Sequence, residues 1–393
     1  MRRLPSLICL TALFCVPLGM GAAQTAPVPD GAPNQPDLTP AFAAQTEAPA
    51  QTSDLALSQS IVAEGLEHPW AVTVLPDDEG YLVTERSGAL RHVSREGTLS
   101  DPISGTPDVF ARRQGGLLDV EIAPDFAQSR VIYLTYSKPM GNGRSTTAAA
   151  RAVLSADATS LSGLRDIFIG NPPSSTPMHY GSRIVADGAG AVFITTGEHS
   201  SGGERVLAQD LSTTYGKVIR VEDTGQTPEA RIYSYGHRNI QGAALAADGR
   251  LWTIEHGPAG GDELNIIEAG ANYGWPIVSY GVNYNGSAIG TGAARHAPDF
   301  TEPRYYWDPV IAPGGMVFYD GAMFPEWSGD ILASGLVASA LVRLDINGDS
   351  VAGEERLLEG IGRVRDVAID HDGALLIVLD LPDAPLVRIT RGL

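Results

Sequence analysis

From about Trp70 to the C-terminus the chain alternates apolar and polar residues in short runs separated by turns. One arrangement recurs six times: an apolar alternating run, a turn carrying aspartate, and a second apolar run. The turn aspartates are Asp77, Asp125, Asp187, Asp248, Asp320 and Asp372, spaced 48, 62, 61, 72 and 52 residues apart. A third run follows in most units, as in LRHV, KVIRV, ELNII, ALVRL and LVRI, and is least clear in the second unit. Alternation with period two indicates half-buried strands, and no stretch carries the 3.6-residue rhythm of a long amphipathic helix.

Repeated antiparallel units of about 40–50 residues with variable insertions predict an all-β fold, a six-bladed β-propeller. A parallel β-helix would need shorter, more regular repeats, and a two-domain sandwich would not spread one unit evenly along the chain. Each blade hides its faces against its neighbours, so the ring must close. Ser58 to Glu64, SQSIVAE, is expected to close it as the outer strand of the last blade.

The segments flanking this pattern set its boundaries. Residues 1–23 carry Arg2 and Arg3, an apolar stretch from Leu4 to Leu18, and small residues at Gly21 and Ala23, as in a secretory signal peptide. Lipidation at Cys15 and twin-arginine export through Arg2-Arg3 are competing readings. Residues 24–54, rich in Ala, Pro, Gln and Thr, are expected to form a flexible tether, leaving 55–393 as the propeller.

Both cysteines, Cys9 and Cys15, fall inside the leader, so an exported chain would lack disulfides. Losing Arg2 and Arg3 from 27 basic residues set against 46 acidic ones leaves a net charge of −21. That balance makes the chain a poor nucleic-acid binder and predicts a soluble, monodisperse protein; with the leader, the expectation is a monomer without a membrane span, in the periplasm or secreted.

Four polar motifs stand at strand entrances or in loops, where binding groups concentrate. They are RRQGGLLD (Arg112 to Asp119), MHYGSR (Met178 to Arg183), the paired flanks YGHRN and EHGPAGGDE around the hairpin Ala243 to Glu255, and GRVRD (Gly362 to Asp366). His179 precedes a strand and is a candidate base, with His237 and His256 competing for that role; His68 reads as a turn residue. Arg363 and Arg365, two apart on a strand, would share a face and either bind an anion or salt-bridge to neighbouring carboxylates. The turn from Glu255 to Glu263 offers carboxylates and carbonyls of the kind calcium prefers, without the ligand ladder of an EF-hand.

The ordered run GLEHPWAV, QGGLLDVEIAPDF, HYGSRIV, IYSYGHRNIQG, EHGPAGGDELNII, NYGWP, GVNY, GGMVFY and RVRDV resembles the glucose/sorbosone dehydrogenase family. The resemblance covers about Ile61 to the end. It is strongest to soluble aldose sugar dehydrogenases that use pyrroloquinoline quinone.

What it implies is oxidation of an aldose sugar at C1 to a lactone, with electrons passed to an external acceptor. His179 would take the hydroxyl proton, and Arg238 and Asn239 would flank the reacting carbonyl. Gln114, Tyr284, Arg363 and Arg365 would hold the quinone. The carbonyls of Gly257 and Pro258 would bind Ca2+ against the quinone, with Glu263 and the Tyr273 backbone forming a further calcium site. A non-catalytic binding propeller and a calcium-dependent lactonase are the alternatives.

Two positions depart from the family. Val337 stands where relatives carry a lysine that meets a cofactor carboxylate. Losing that contact would cost about 1.5–3 kcal/mol, roughly one to two decades in affinity. Met178 replaces a polar or acidic residue beside the histidine, which leaves the imidazole without that orienting partner.

Overall fold

The structure, a computed structural model, describes residues 26–223 and 227–392. The expected signal peptide lies outside them. Six antiparallel sheets are arranged as a β-propeller, as the repeat predicts. Their innermost strands begin at Pro69, Leu117, Ile184, Ile240, Pro313 and Val364, and they touch in cyclic order around a central channel.

All six turn aspartates fall between the innermost and second strands of their blades. At Asp187, Asp248, Asp320 and Asp372 the carboxylate accepts backbone N–H groups two residues on, the local bond that makes aspartate a turn former. The third strand that the second unit hid is Ser145–Leu154. Its sequence, STTAAARAVL, is buried but alanine-rich, so it lacks the bulky alternation of the others.

The sixth blade is closed by the N-terminal strand Leu57–Leu66, which pairs antiparallel with Ala384–Arg391 from Leu57↔Arg391 to Leu66↔Ala384. This is the closure expected of SQSIVAE, and it ties the two ends of the propeller into one sheet.

The segment 26–54 departs from the flexible-tether expectation. Asn34, Gln35 and Gln45 hydrogen-bond to residues after the third strand of blade 4, and Gln51 and Ser53 to blade 5. Composition suggested a tether because the segment has little apolar surface to bury. Its amides and hydroxyls instead find carboxylates along the propeller's outer edge. Among the described residues no helix is long and apolar enough to cross a membrane.

Because successive strands are antiparallel, the start of each innermost strand lies beside the end of the second, as at Ile240↔Glu255 and Pro313↔Gly335. One end of the channel is therefore ringed by blade connections and by loops between second and third strands. The loops that follow the innermost strands are the aspartate turns, at the opposite end.

Closure by the N-terminal strand gives a direct test. Leu66 is fully buried where that strand meets the ring. Leu66→Ala is expected to lower unfolding free energy by about 2–5 kcal/mol in chemical denaturation, the cost of a core cavity.

Candidate active site at the channel mouth

Five innermost strands slip register near their first residues, the slips falling between Pro69 and Ala71, Leu117 and Val120, Ile240 and Gly242, Pro313 and Met316, and Val364 and Asp366. A bulge re-aims the side chain of the extra residue. Trp70, Gln241 and Arg365 occupy such positions in blades 1, 4 and 6, and they meet: Arg365 Nη1 donates to Gln241 Oε1 at 2.6 Å and the guanidinium lies 5.6 Å from the Trp70 ring centroid. Alternation alone could not have found this, because a bulge breaks the alternation.

Arg183 spans the channel among these strands. Its Nη1 and Nη2 pair with Asp119 at 2.8 Å and Asp366 at 3.0 Å, and its Nε donates to the Gln241 carbonyl. This buried cation is matched on two sides by anions, as burial of charge requires.

Arg238 and Arg365 are buried too, but neither has an ion-pair partner among the described residues. Arg238 Nη1 donates to the His256 carbonyl at 2.9 Å, its guanidinium lies 5.3 Å from the Trp275 ring centroid, and Nη2 reaches the exposed Tyr284 hydroxyl at 3.5 Å. The Nε atoms of both arginines and Nε2 of His256 are buried without a partner among the described residues. Burial, assisted by the nearby charges of Arg86, Arg363 and Arg183, pulls Arg365 down to about 10 despite the opposing Asp380.

Arg363 stands further out, half exposed, 3.7 Å from Asp380. Arg86 and His68 converge on the same carboxylate at 3.6 and 3.0 Å. The two arginines of GRVRD thus divide the alternatives left open by their spacing: Arg363 salt-bridges, while Arg365 forms no ion pair among the described residues. Val337, exposed, lies in the loop whose Leu336 carbonyl faces Arg363 Nη1 at 3.4 Å.

His179 is fixed by three loops. Its N–H donates to Gln114 Oε1 at 2.8 Å, Asn239 Oδ1 accepts from Gly181 N–H at 3.0 Å, and His179 Nδ1 lies 2.9 Å from Glu198 Oε1. The approach requires glycine on both sides: a Cβ on Gly181 would stand 2.7 Å from the Thr196 carbonyl carbon, and one on Gly197 would overlap the His179 carbonyl oxygen. The amide nitrogens of Gln114 and Asn239 and Nε2 of His179 have no protein partner among the described residues.

Glu198 is a residue that the sequence reading missed, and it supplies the orientation thought lost at Met178. Its signal was the recurrence of an acid 7–11 residues after a turn aspartate, at Glu85, Glu198, Glu255 and Asp380. Blade 4 repeats the pairing with His237 Nδ1 and Glu255 Oε1 at 2.9 Å. There Nε2 is also occupied, 2.8 Å from Ser234 Oγ, and the ring stacks on Tyr273. His237 is consequently a structural group; His179 and His256 each keep an open Nε2, and of these only His179 is paired with a carboxylate.

Burial, with Arg238 nearby, holds the His179 imidazole well below its usual range, and burial pushes Glu198 up to about 7. The imidazole is neutral at pH 7. An ionised Glu198 accepts its Nδ1–H and leaves the Nε2 lone pair free.

Beside Arg238 lies a small cavity lined by Glu255, Gly257, Pro258, Glu263 and Tyr273. It brings together the four residues assigned to two separate calcium sites. Burial and the neighbouring Glu255 raise Glu263 well above the ordinary carboxylate range. Asn265 Nδ2 lies 3.3 Å from both carboxylates, and its Oδ1 is buried without a partner. The carbonyls of Gly257 and Pro258 accept no hydrogen bond among the described residues. No group of three or more His, Cys, Asp or Glu side chains among those residues is placed to hold a metal, so any cation would lean on carbonyl oxygens.

Residues 66–388 match the family model for glucose/sorbosone dehydrogenase. The chain is 40% identical over 343 residues to aldose sugar dehydrogenase YliI of Escherichia coli (strain K12), covering 84% of this chain and 92% of that protein. The apo-form structure of the soluble aldose sugar dehydrogenase from Escherichia coli superposes with a TM-score of 0.81 at 40% identity, covering 86% of this chain and all of that one. The PQQ-bound aldose sugar dehydrogenase from Streptomyces coelicolor superposes with a TM-score of 0.68 at 26% identity, covering 88% of this chain and all of that one.

The His179–Glu198 pair can be tested without any ligand. Imidazole nitrogen NMR at pH 8 is expected to show the Nδ1–H tautomer. As pH falls through about 7 and Glu198 takes a proton, the signal should shift; in Glu198→Gln that step should vanish.

Proposed function

This chain belongs to the glucose/sorbosone dehydrogenase family, and on that premise we propose that it is a pyrroloquinoline quinone- and calcium-dependent dehydrogenase that oxidises aldose sugars at C1 to lactones. The observation that carries this reading is the pair of buried guanidiniums of Arg238 and Arg365, neither of them in an ion pair among the described residues, joined by the orphan Nε2 of His256. A flat cofactor with three carboxylates gives such groups what they lack. A propeller that only bound a neutral glycan, or a lactonase built around carboxylate-held metal, would give no reason to bury two cations outside any ion pair.

Arg238, Asn239, Gln114, Arg365 and, at the rim, Arg363 and Tyr284 would hold the quinone. The Gly257 and Pro258 carbonyls would hold calcium, and Glu263 with the Tyr273 backbone a further ion. When bound, the quinone supplies the carbonyl carbon that accepts the sugar's C1 hydride and calcium polarises that carbonyl.

The protein's own step is proton transfer. His179 Nε2 takes the C1 hydroxyl proton while the ionised Glu198 holds Nδ1–H and stabilises the imidazolium that forms. Arg238, fixed by the His256 carbonyl and Trp275, places a positive charge where negative charge develops. We place the enzyme in the periplasm or outside the cell as a monomer, passing electrons to an external acceptor.

Purified protein reconstituted with pyrroloquinoline quinone and calcium is expected to reduce a dye in the presence of aldoses, with His179→Ala lowering kcat by about 10²–10⁴. Because the base needs ionised Glu198, kcat should rise with pH through about 7 and then level off. No turnover above the His179→Ala variant would overturn the assignment. Val337→Lys, next to Arg363 at the rim, is expected to tighten quinone binding by roughly one to two decades in a fluorescence titration.

A further inference from the structure

The third and fourth strands of blade 4, Asp262–Ile266 and Tyr305–Trp307, are joined by a long excursion without a strand of its own. Such a loop needs anchors to hold one conformation. It matters to the site because it backs the Gly257–Glu263 turn. Ala259 and Val282 exchange backbone hydrogen bonds at 3.0 Å, and Gly261 N–H donates to the Trp307 carbonyl at 2.7 Å.

The N-terminal segment, which lies outside the residues matched by the family model, supplies those anchors. Asn34 donates from its backbone N–H and Nδ2 to Asp308 Oδ1 at 2.9 and 2.6 Å, and Gln35 N–H donates to Oδ2 at 2.8 Å. Gln35 Nε2 donates to the Tyr280 carbonyl at 2.9 Å. Gln45, fully buried, donates through Nε2 to Glu302 Oε2 at 3.1 Å and the Pro303 carbonyl at 3.0 Å, and accepts at Oε1 from Ala41 N–H.

Each anchor reaches the turn. A Cβ on Gly260 would stand 2.5 Å from Asp308 Oδ1, and one on Gly261 would stand 2.5 Å from Gly281 N, next to Tyr280. Tyr280 donates its hydroxyl to Glu302 at 2.6 Å and stacks on His296, ring centroids 5.1 Å apart. His296 in turn places Nε2 3.5 Å from Glu263 Oε1. Three lines of contact thus run from one polar segment to the same seven-residue turn, which carries Gly257, Pro258 and Glu263.

We propose that Asn34 to Gln45 form a strap whose hydrogen bonds to Asp308, Tyr280 and Glu302 position the Gly257–Glu263 turn. The strap residues touch no ligand; Gln45 and the Gln35 side chain act through the excursion, and Asn34 and the Gln35 N–H through Asp308, just beyond the fourth strand. That the positioned turn serves cation and quinone binding rests on the proposed function, whereas the clamp itself does not. The rest of the segment gives an internal control. Gln51 bonds Asp345 and Arg343 on blade 5, away from the turn.

Hydrogen–deuterium exchange on the full chain separates these statements. In the Asn34→Ala/Gln35→Ala double variant and in Gln45→Ala, the amides of Gly257, Ala259 and Gly261 are expected to exchange at least about tenfold faster, as local opening is eased. In Gln51→Ala they should match the parent. Unchanged exchange at the turn in the double variant and in Gln45→Ala would overturn the strap.

Calorimetric titration with calcium, and tryptophan-fluorescence titration with pyrroloquinoline quinone, read the consequence. Affinities in the strap variants should fall by about 10–100-fold, as when a ligand's supporting shell is lost, with kcat at saturation little changed. Equal affinities in parent and strap variants would overturn that consequence. A parent that binds neither ligand would overturn the functional reading, while the exchange data would still decide the strap.

Discussion

Burying a guanidinium in a propeller channel is costly unless an anion or a full set of acceptors comes with it, and this constraint separates the structural part of the channel from its chemical part. Arg183 satisfies it internally through Asp119 and Asp366, and so ties blades 2, 3 and 6 together. Arg238 and Arg365 do not. Each has neutral acceptors and an aromatic face, and each keeps a donor without a partner among the described residues. In a chain with 46 acidic residues, carboxylates are abundant, yet among the described residues none pairs with either guanidinium at salt-bridge distance, which leaves both cations only partly compensated.

The acids that do reach the mouth are held at fixed stations. Second strands or the residues just after them present Glu85, Glu198, Glu255 and Asp380, and what each one meets decides its use. Asp380 collects Arg86, Arg363 and His68 at the rim. Glu255 fixes His237 and the Arg238 backbone in the wall. Glu198, buried and raised to about 7, is the one that faces a histidine with a free nitrogen. One repeated position thus yields a rim salt bridge, a structural brace and a buried His–Glu pair with an open nitrogen, through differences in the neighbouring loop.

The polar segment ahead of the propeller shows how composition can mislead. Low apolar content removes the hydrophobic reason for a segment to dock, but hydrogen bonds to an acidic edge supply another. Gln45, with no exposed surface, is held by hydrogen bonds to Glu302, Pro303 and Ala41.

The repeated alternation around an aspartate turn determined the propeller, its six blades and the strand that closes it, because burial of one face at period two leaves little freedom in how such units stack. The motifs likewise marked His179, Arg238 and Arg365 as polar residues at strand entrances. Which histidine pairs with a carboxylate and keeps an open nitrogen, and which arginines stay outside any ion pair, was decided by tertiary structure. Those outcomes depend on the register slips that aim Trp70, Gln241 and Arg365 inward, on the glycine contact that brings Glu198 to His179, and on Asp380 standing beside Arg363. Each joins residues far apart in the chain, and a linear pattern records a side chain's own character but not the partner that saturates it.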